Sequence, residues 1–146
     1  MAADCTFCRI VARDVEADRV LENADVVAFL DHRPLFAGHV LLVTRAHHET
    51  LTDLPVTQIE PLFTSARRLA LAVERAMSAD GSFVAINNRV SQSVPHLHVH
   101  EIPRKRGDGL RGFFWPRHRY PSDEARLETA RRIAEALATI GLDTGN

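Results

Sequence analysis

Short apolar runs broken by turn residues occupy most of the chain, and helical spacing appears in two longer stretches. Residues 6–12 are a short mixed apolar stretch, enough for one or two helical turns. Residues 19–22 and 26–30 read as two short strands around the polar Asn23-Ala24-Asp25 turn. Pro34 and Gly38 mark a loop. Residues 39–44 are β-rich without alternation, which predicts a strand buried on both faces and helices over one side of a sheet. Ile59, Leu62, Phe63, Ala66, Leu69, Ala70, Val73 and Met77 then recur at helical spacing. Proline lacks an N–H and clashes with the preceding turn, so Pro61 is expected in the first turn, with 55–58 a separate lead-in. Residues 83–87 and 97–103 are the remaining strands, and a basic, Gly-containing loop covers 104–112. Ser122 is placed to cap a last helix carrying Leu127, Ala130, Ile133, Ala134, Leu137 and Ile140. This order predicts an α+β fold: a mainly antiparallel five-stranded sheet, a long central helix and a C-terminal helix. One domain is expected over 1–146, with a core at about 5–104 and an extension at 105–146.

Bulk properties narrow the function classes. Apolar residues make up 45% of the 146 and charged residues 25%, the profile of a globular chain with a real core. A formal net charge of −1 gives no reason to expect nucleic-acid or membrane binding. No run of about 18 apolar residues could span a bilayer. Met1-Ala2-Ala3-Asp4-Cys5 lacks the basic and apolar regions of a signal peptide, so a cytoplasmic protein is expected.

The chemistry is concentrated in two cysteines and eight histidines. Cys5 and Cys8 form one Cys-x-x-Cys. With no strand before it, a thioredoxin-like setting is missing, and a metal site is favoured over a disulfide or redox pair. His96, His98 and His100 recur at period 2, which on a strand lines three imidazoles along one face. Such a row contributes little to an apolar core. It suits either a metal site, since neutral imidazole is a common zinc ligand, or covalent catalysis at phosphorus, where imidazole is nucleophilic near neutral pH. Spacing alone leaves both open.

The run Gln92-Ser93-Val94-Pro95-His96-Leu97-His98-Val99-His100 resembles the signature of the histidine triad (HIT) family of nucleotide hydrolases and transferases. Phe7-Cys8-Arg9-Ile10-Val11, Ala28-Phe29-Leu30-Asp31 and Gly38-His39-Val40-Leu41-Leu42-Val43 resemble further family segments, in family order. The resemblance implies a homodimer that binds a nucleotide, adenine favoured, and cleaves at its α-phosphate. His98 would attack phosphorus and form a nucleotidyl-histidine intermediate, oriented by the backbone carbonyl of His96. His100, Gln92 and Ser93 would bind phosphate oxygens, and His39 would support them. Asp31 would hold the ribose hydroxyls. Phe7, Ile10 and Phe29 would wall the base pocket, a role that competes with plain core packing, and Asn87 would lie near the phosphates. The zinc-containing subset of the family is also matched. Cys5, Cys8, His47 and His96 would close a structural tetrahedral zinc site, with His48 the rival of His47.

Two features depart from the family. The Asn87–Gln92 connection is shorter than usual and has no glycine, which puts backbone contacts to phosphate in question and leaves Arg89 to contribute charge. It also motivates a rival function, a non-catalytic nucleotide-binding regulatory protein. A third possibility is a metalloenzyme holding a catalytic ion with all three histidines of the triplet. Glu101 stands where an apolar residue is usual, so its face is expected to be exposed or paired at that end. Residues 112–121 mix aromatic and basic side chains and suit a substrate flap or a dimer contact equally.

Overall fold

The structure, a computed structural model, describes residues 4–110 and 117–141. They fall into two compact units, one reaching Arg106 and one beginning at Gly107. The first holds a five-stranded antiparallel sheet in the order β1-β2-β3-β5-β4. Its strands are β1 (Arg19–Glu22), β2 (Val26–Leu30), β3 (Val40–Thr44), β4 (Gly81–Ala85) and β5 (His98–Arg104). Two helices accompany them, α1 (Thr6–Val11) and α2 (Val56–Ala76). No described helix is long and apolar enough to cross a membrane.

Each strand reflects its local chemistry. Asn23 Oδ1 accepts the N–H groups of Asp25 and Val26 at 2.9 and 3.0 Å, which turns the chain between β1 and β2. All five residues of β3 are buried, as its unbroken apolar run predicted. Val26, Ala28, Leu42, Leu97 and Val99 face α2, which buries Leu62, Ala66, Leu69 and Val73 against them. Val27, Phe29, Leu41 and Val43 face the opposite way and pack with Cys5, Phe7, Cys8 and Ile10 of the N-terminal segment. The sheet therefore separates an apolar helical layer from the layer that carries the cysteines and histidines.

Four expectations shift. α2 begins at Val56 without a break, and Pro61 lies inside it. The bond that Pro61 cannot make belongs to the carbonyl of Thr57, an exposed residue whose backbone water can reach. Ile59 and Phe63 of the predicted apolar face are exposed. β4 ends at Ala85, which leaves Asn87 beyond the strand. β5 begins at His98 because the N–H of Leu97 goes to His48 O at 2.6 Å and that of His96 to Val94 O. The triplet therefore does not lie on one strand: His96 sits in a bend before β5, pinned to the 44–48 segment.

Glu101 departs furthest from expectation. It is fully buried beneath α2, in register with Val40 and Val84, and its carboxylate oxygens have no hydrogen-bond partner among the described residues. The side chain itself is neither exposed nor paired, although its in-register neighbour Val84 is half-exposed. Burial alone raises the carboxyl to about 8.

The second unit contains α3 (Asp123–Ala138), capped by Ser122 Oγ accepting the Ala125 N–H at 3.1 Å. Leu127, Ile133 and Leu137 are exposed on it, and Ile140 is exposed just beyond its end. Residues 111–116, which carry part of the basic and aromatic segment, lie outside the described residues.

A raised carboxyl pKa means that the folded state keeps a proton the unfolded chain has lost. Stability must therefore fall as pH rises from about 4.5 towards 8. Replacing Glu101 by Gln or Val is expected to stabilise the protein at neutral pH by up to about 3 kcal/mol, with a gain that shrinks near pH 5. Denaturant titrations at both pH values check this, and an equal gain at each would contradict it.

Candidate active site and metal centre

The local fold delivers the histidines from three directions. β5 supplies His98 and His100, and its lead-in supplies His96. His39 comes from the loop before β3, closed by Asp31 N–H donating to His39 O at 2.9 Å and His39 N–H to Phe36 O at 3.0 Å. Gly38 makes that turn possible: its φ is +92°, and a Cβ there would lie 2.6 Å from Met77 Cγ.

His98 is 3% exposed, and its Nδ1–H donates to the carbonyl of His96 at 2.7 Å. That bond fixes the tautomer and leaves the Nε2 lone pair unengaged. The edge of Phe7 braces the ring at a centroid distance of 5.1 Å. Burial lowers the pKa of His98, opposed by the His96 carbonyl and then by Asp31, so the neutral form is favoured. His100 packs beside it with ring centroids 4.9 Å apart.

Both rings open onto a cavity of about 990 Å³. Phe7, Ile10 and Phe29 wall it, and Asp31 and Ser93 line it, as the sequence suggested. The same three apolar residues also belong to the core, so their two readings coincide. Asp31 Oδ1 accepts the Arg33 N–H at 2.9 Å, and the carboxylate remains partly exposed. His39, Asn87, Arg89 and Gln92 are not among the lining residues. His39 stands behind His100, with its Nε2 3.0 Å from His100 Nδ1. Thr6, Arg33, Val94 and the 15–18 segment also line the cavity, and nothing in the sequence assigned them to it. The tail of α1 offered no periodicity or motif to mark it.

The glycine-free loop keeps a glycine-like path. Arg89 and Ser91 both take positive φ, +66° and +59°. For L residues this conformation costs on the order of 1–2 kcal/mol each. The loop is held by Gln92, whose Oε1 accepts the Arg89 N–H at 2.8 Å and whose Nε2 donates to Glu49 O at 2.6 Å. Asn88 Oδ1 accepts the Leu51 N–H at 2.8 Å and anchors the other flank. Gln92 thus frames the loop and keeps one amide hydrogen for another acceptor. The Arg89 charge is felt by Asp53, outside the cavity.

Next to this site, four donor atoms converge within 4.8 Å: the thiols of Cys5 and Cys8, and nitrogens of His47 and His96. Cys5 Sγ lies 3.4 Å and Cys8 Sγ 3.6 Å from His96 Nδ1, and Cys8 Sγ lies 3.3 Å from His47 Nδ1. A tetrahedral ion with ordinary zinc bond lengths sets sulfur–nitrogen edges of roughly 3.6 Å. His96 Nε2–H donates to Thr44 O at 2.8 Å, which turns the Nδ1 lone pair towards the thiols. Burial lowers His96 to about 4, so this ring is neutral, the state a metal ligand needs. It is His47 that reaches the cluster; His48 instead gives its carbonyl to Leu97.

A family model described as the HIT domain matches residues 12–107. The chain belongs to the histidine triad family. An uncharacterized HIT-like protein of Mycobacterium tuberculosis is 34% identical over 139 residues, 92% of this chain and 93% of its own length. The crystal structure of a Zn-bound histidine triad family protein from Mycobacterium smegmatis superposes with a TM-score of 0.70 at 34% identity, covering 91% of this chain and 97% of that one. The asymmetrical bis(5'-nucleosyl)-tetraphosphatase of Schizosaccharomyces pombe is 40% identical over 83 residues, 56% of this HIT chain and 46% of that protein.

The cluster makes a direct prediction. Purified protein should carry about one zinc per chain. Cys8→Ser should lose it, and His98→Ala should keep it. Zinc retained in Cys8→Ser, or lost in His98→Ala, would contradict the assignment of ligands.

Proposed function

We propose that this HIT protein is a nucleotidyl hydrolase or transferase acting through His98. The observation that carries this reading is the hydrogen bond from His98 Nδ1 to the His96 carbonyl, which leaves a neutral, buried Nε2 lone pair beside an apolar-walled cavity. Substrates are dinucleoside polyphosphates or nucleoside phosphoramidates, with adenine nucleotides favoured. The relationship to a bis(5'-nucleosyl)-tetraphosphatase supports this class.

In the first step the His98 Nε2–phosphorus bond forms and the bond from phosphorus to the leaving oxygen or nitrogen breaks, with its electron pair departing. Water or another acceptor then attacks the nucleotidyl-histidine, and the pair returns to the imidazole. Ser93, His100 and the remaining amide hydrogen of Gln92 hold phosphate oxygens. Asp31 accepts from the ribose hydroxyls, and Phe7, Ile10 and Phe29 hold the base. Asn87 and Arg89 lie further out, where they reach only an extended substrate.

Cys5, Cys8, His47 and His96 hold a structural zinc, which ties the N-terminal turn to the lead-in of β5. The Zn-bound relative supports this assignment. The protein works as a homodimer in the cytoplasm.

His98→Ala is expected to lower turnover of adenosine 5'-phosphoramidate or diadenosine tetraphosphate at least about 10³-fold, by analogy with loss of other covalent nucleophiles. Binding of adenosine monophosphate should stay within about threefold, since the base and ribose contacts remain. Steady-state kinetics and calorimetry check the pair of outcomes. Undiminished turnover in that variant would refute the mechanism.

A further inference from the structure

Behind the cavity, two consecutive hydrogen bonds have a direction that is fixed at one end. The backbone N–H of Leu35 lies 3.1 Å from His39 Nδ1. A peptide N–H can only donate, so Nδ1 carries a lone pair and the proton of the neutral ring sits on Nε2. That Nε2–H points at His100 Nδ1, 3.0 Å away, which must accept. His100 then carries its single proton on Nε2. An imidazolium at His100 would place an N–H on each side of the 3.0 Å contact. Relieving that clash would move the His39 proton to Nδ1, where the Leu35 N–H already points.

Building on the reading of His98 as nucleophile, we propose that the Leu35 amide, acting through His39, keeps His100 a neutral Nε2–H donor. His100 then donates its one N–H to a phosphate oxygen at the scissile bond and gives no proton to the leaving atom. His39 and the Leu35 amide are positioning groups, since neither lines the cavity. The titratable groups around His100 are His98 on the same strand, His39 from the loop before β3, and Asp31 from the end of β2. Its in-register neighbours Leu41 and Ala85 carry no charge, and Arg33 lines the same cavity. Asp31 Oδ2 is 3.7 Å from His39 Nδ1, beyond hydrogen-bonding distance, so it does not displace the Leu35 amide. Burial, with His98 and His39 close by, acts in the same direction and lowers His100 to about 4.

The consequence is a restriction on substrate class. When the His98–phosphorus bond forms, the electron pair leaves with the leaving group while the proton stays on His100. The leaving atom must therefore be a weakly basic oxygen, as in a phosphate or sulfate anhydride, or an amine nitrogen already protonated in the substrate. Alkyl esters of a nucleotide, whose alkoxide needs an acid, should be poor substrates.

Long-range proton–nitrogen NMR of the imidazoles in the full-length, zinc-loaded protein tests this directly. In the parent protein His39 and His100 should both show the Nε2–H tautomer, unchanged from about pH 5.5 to 8. His39→Gln, which keeps an amide donor towards His100, should preserve the His100 pattern. His39→Ala should let His100 take the Nδ1–H tautomer as well and should move its titration upward, since burial and His98 still act on it but the fixed donor is gone. Leu35→Pro removes the amide and should act like His39→Ala; if it fails to fold, the His39 pair carries the test. With a series of leaving groups, the parent rate should fall steeply as leaving-group basicity rises. The same series in His39→Ala at acidic pH should show a shallower dependence. A doubly protonated or Nδ1–H His100 in the parent protein near pH 7, or a His100 pattern indifferent to His39→Ala, would overturn the proposal. The tautomers are read without turnover, so a failure of the His98 mechanism would show separately, as activity surviving in His98→Ala.

Discussion

One backbone carbonyl controls the orientation of His98. His96 O takes the Nδ1–H of His98 at 2.7 Å, and every chemical property ascribed to His98 depends on that bond. Without it the ring could present either nitrogen, and its proton could sit on the attacking atom. The carbonyl is itself held in place because His96 is clamped on three sides. Its Nε2–H reaches Thr44 O, its Nδ1 faces the two thiols, and its N–H goes to Val94 O. A residue that resembles its neighbours in sequence thus serves as the frame for one of them. A zinc ion at the thiols would tighten that frame without entering the reaction.

The sheet makes this arrangement possible by keeping two environments apart. On one face α2 packs against Leu42, Leu97 and Val99 and supplies most of the apolar burial. On the other, Phe7 and Phe29 enclose the imidazoles in a partly dry layer, which keeps them neutral and able to act as nucleophile, acceptor and donor. Glu101 is the exception to this division. It carries an acid into the apolar layer one residue after His100, and nothing described there receives it.

Much of this was legible in the residues because period and motif are local signals. The β3 run, the Asn23 turn and the Ser122 cap each depend on chemistry within a few positions. The pairing of Cys5 and Cys8 with His47 and His96 came from family resemblance, and the structure brings these donors together. What the sequence could not convey was non-local. The start of β5 is set by His48, whose carbonyl takes the Leu97 N–H. The path of the glycine-free loop is set by Gln92, which bonds across to Glu49. The lining contributed by residues 15–18 has no pattern of its own, and its position follows from where α1 ends and β1 begins. Pro61 misled for a related reason: a proline is tolerated where the unmatched carbonyl faces water, and exposure is invisible in a periodic pattern.

The most direct test of the central claim is to trap the covalent intermediate. The protein would be mixed with adenosine 5'-phosphoramidate, quenched within the first turnover in alkali, where a phosphohistidine-type bond survives, and mapped by peptide mass spectrometry. The expected result is one adenosine monophosphate group on the peptide containing His98, attached at that residue and absent from His98→Ala. A label on His96 or His100 would contradict the central claim, and so would turnover that proceeds with no labelled histidine.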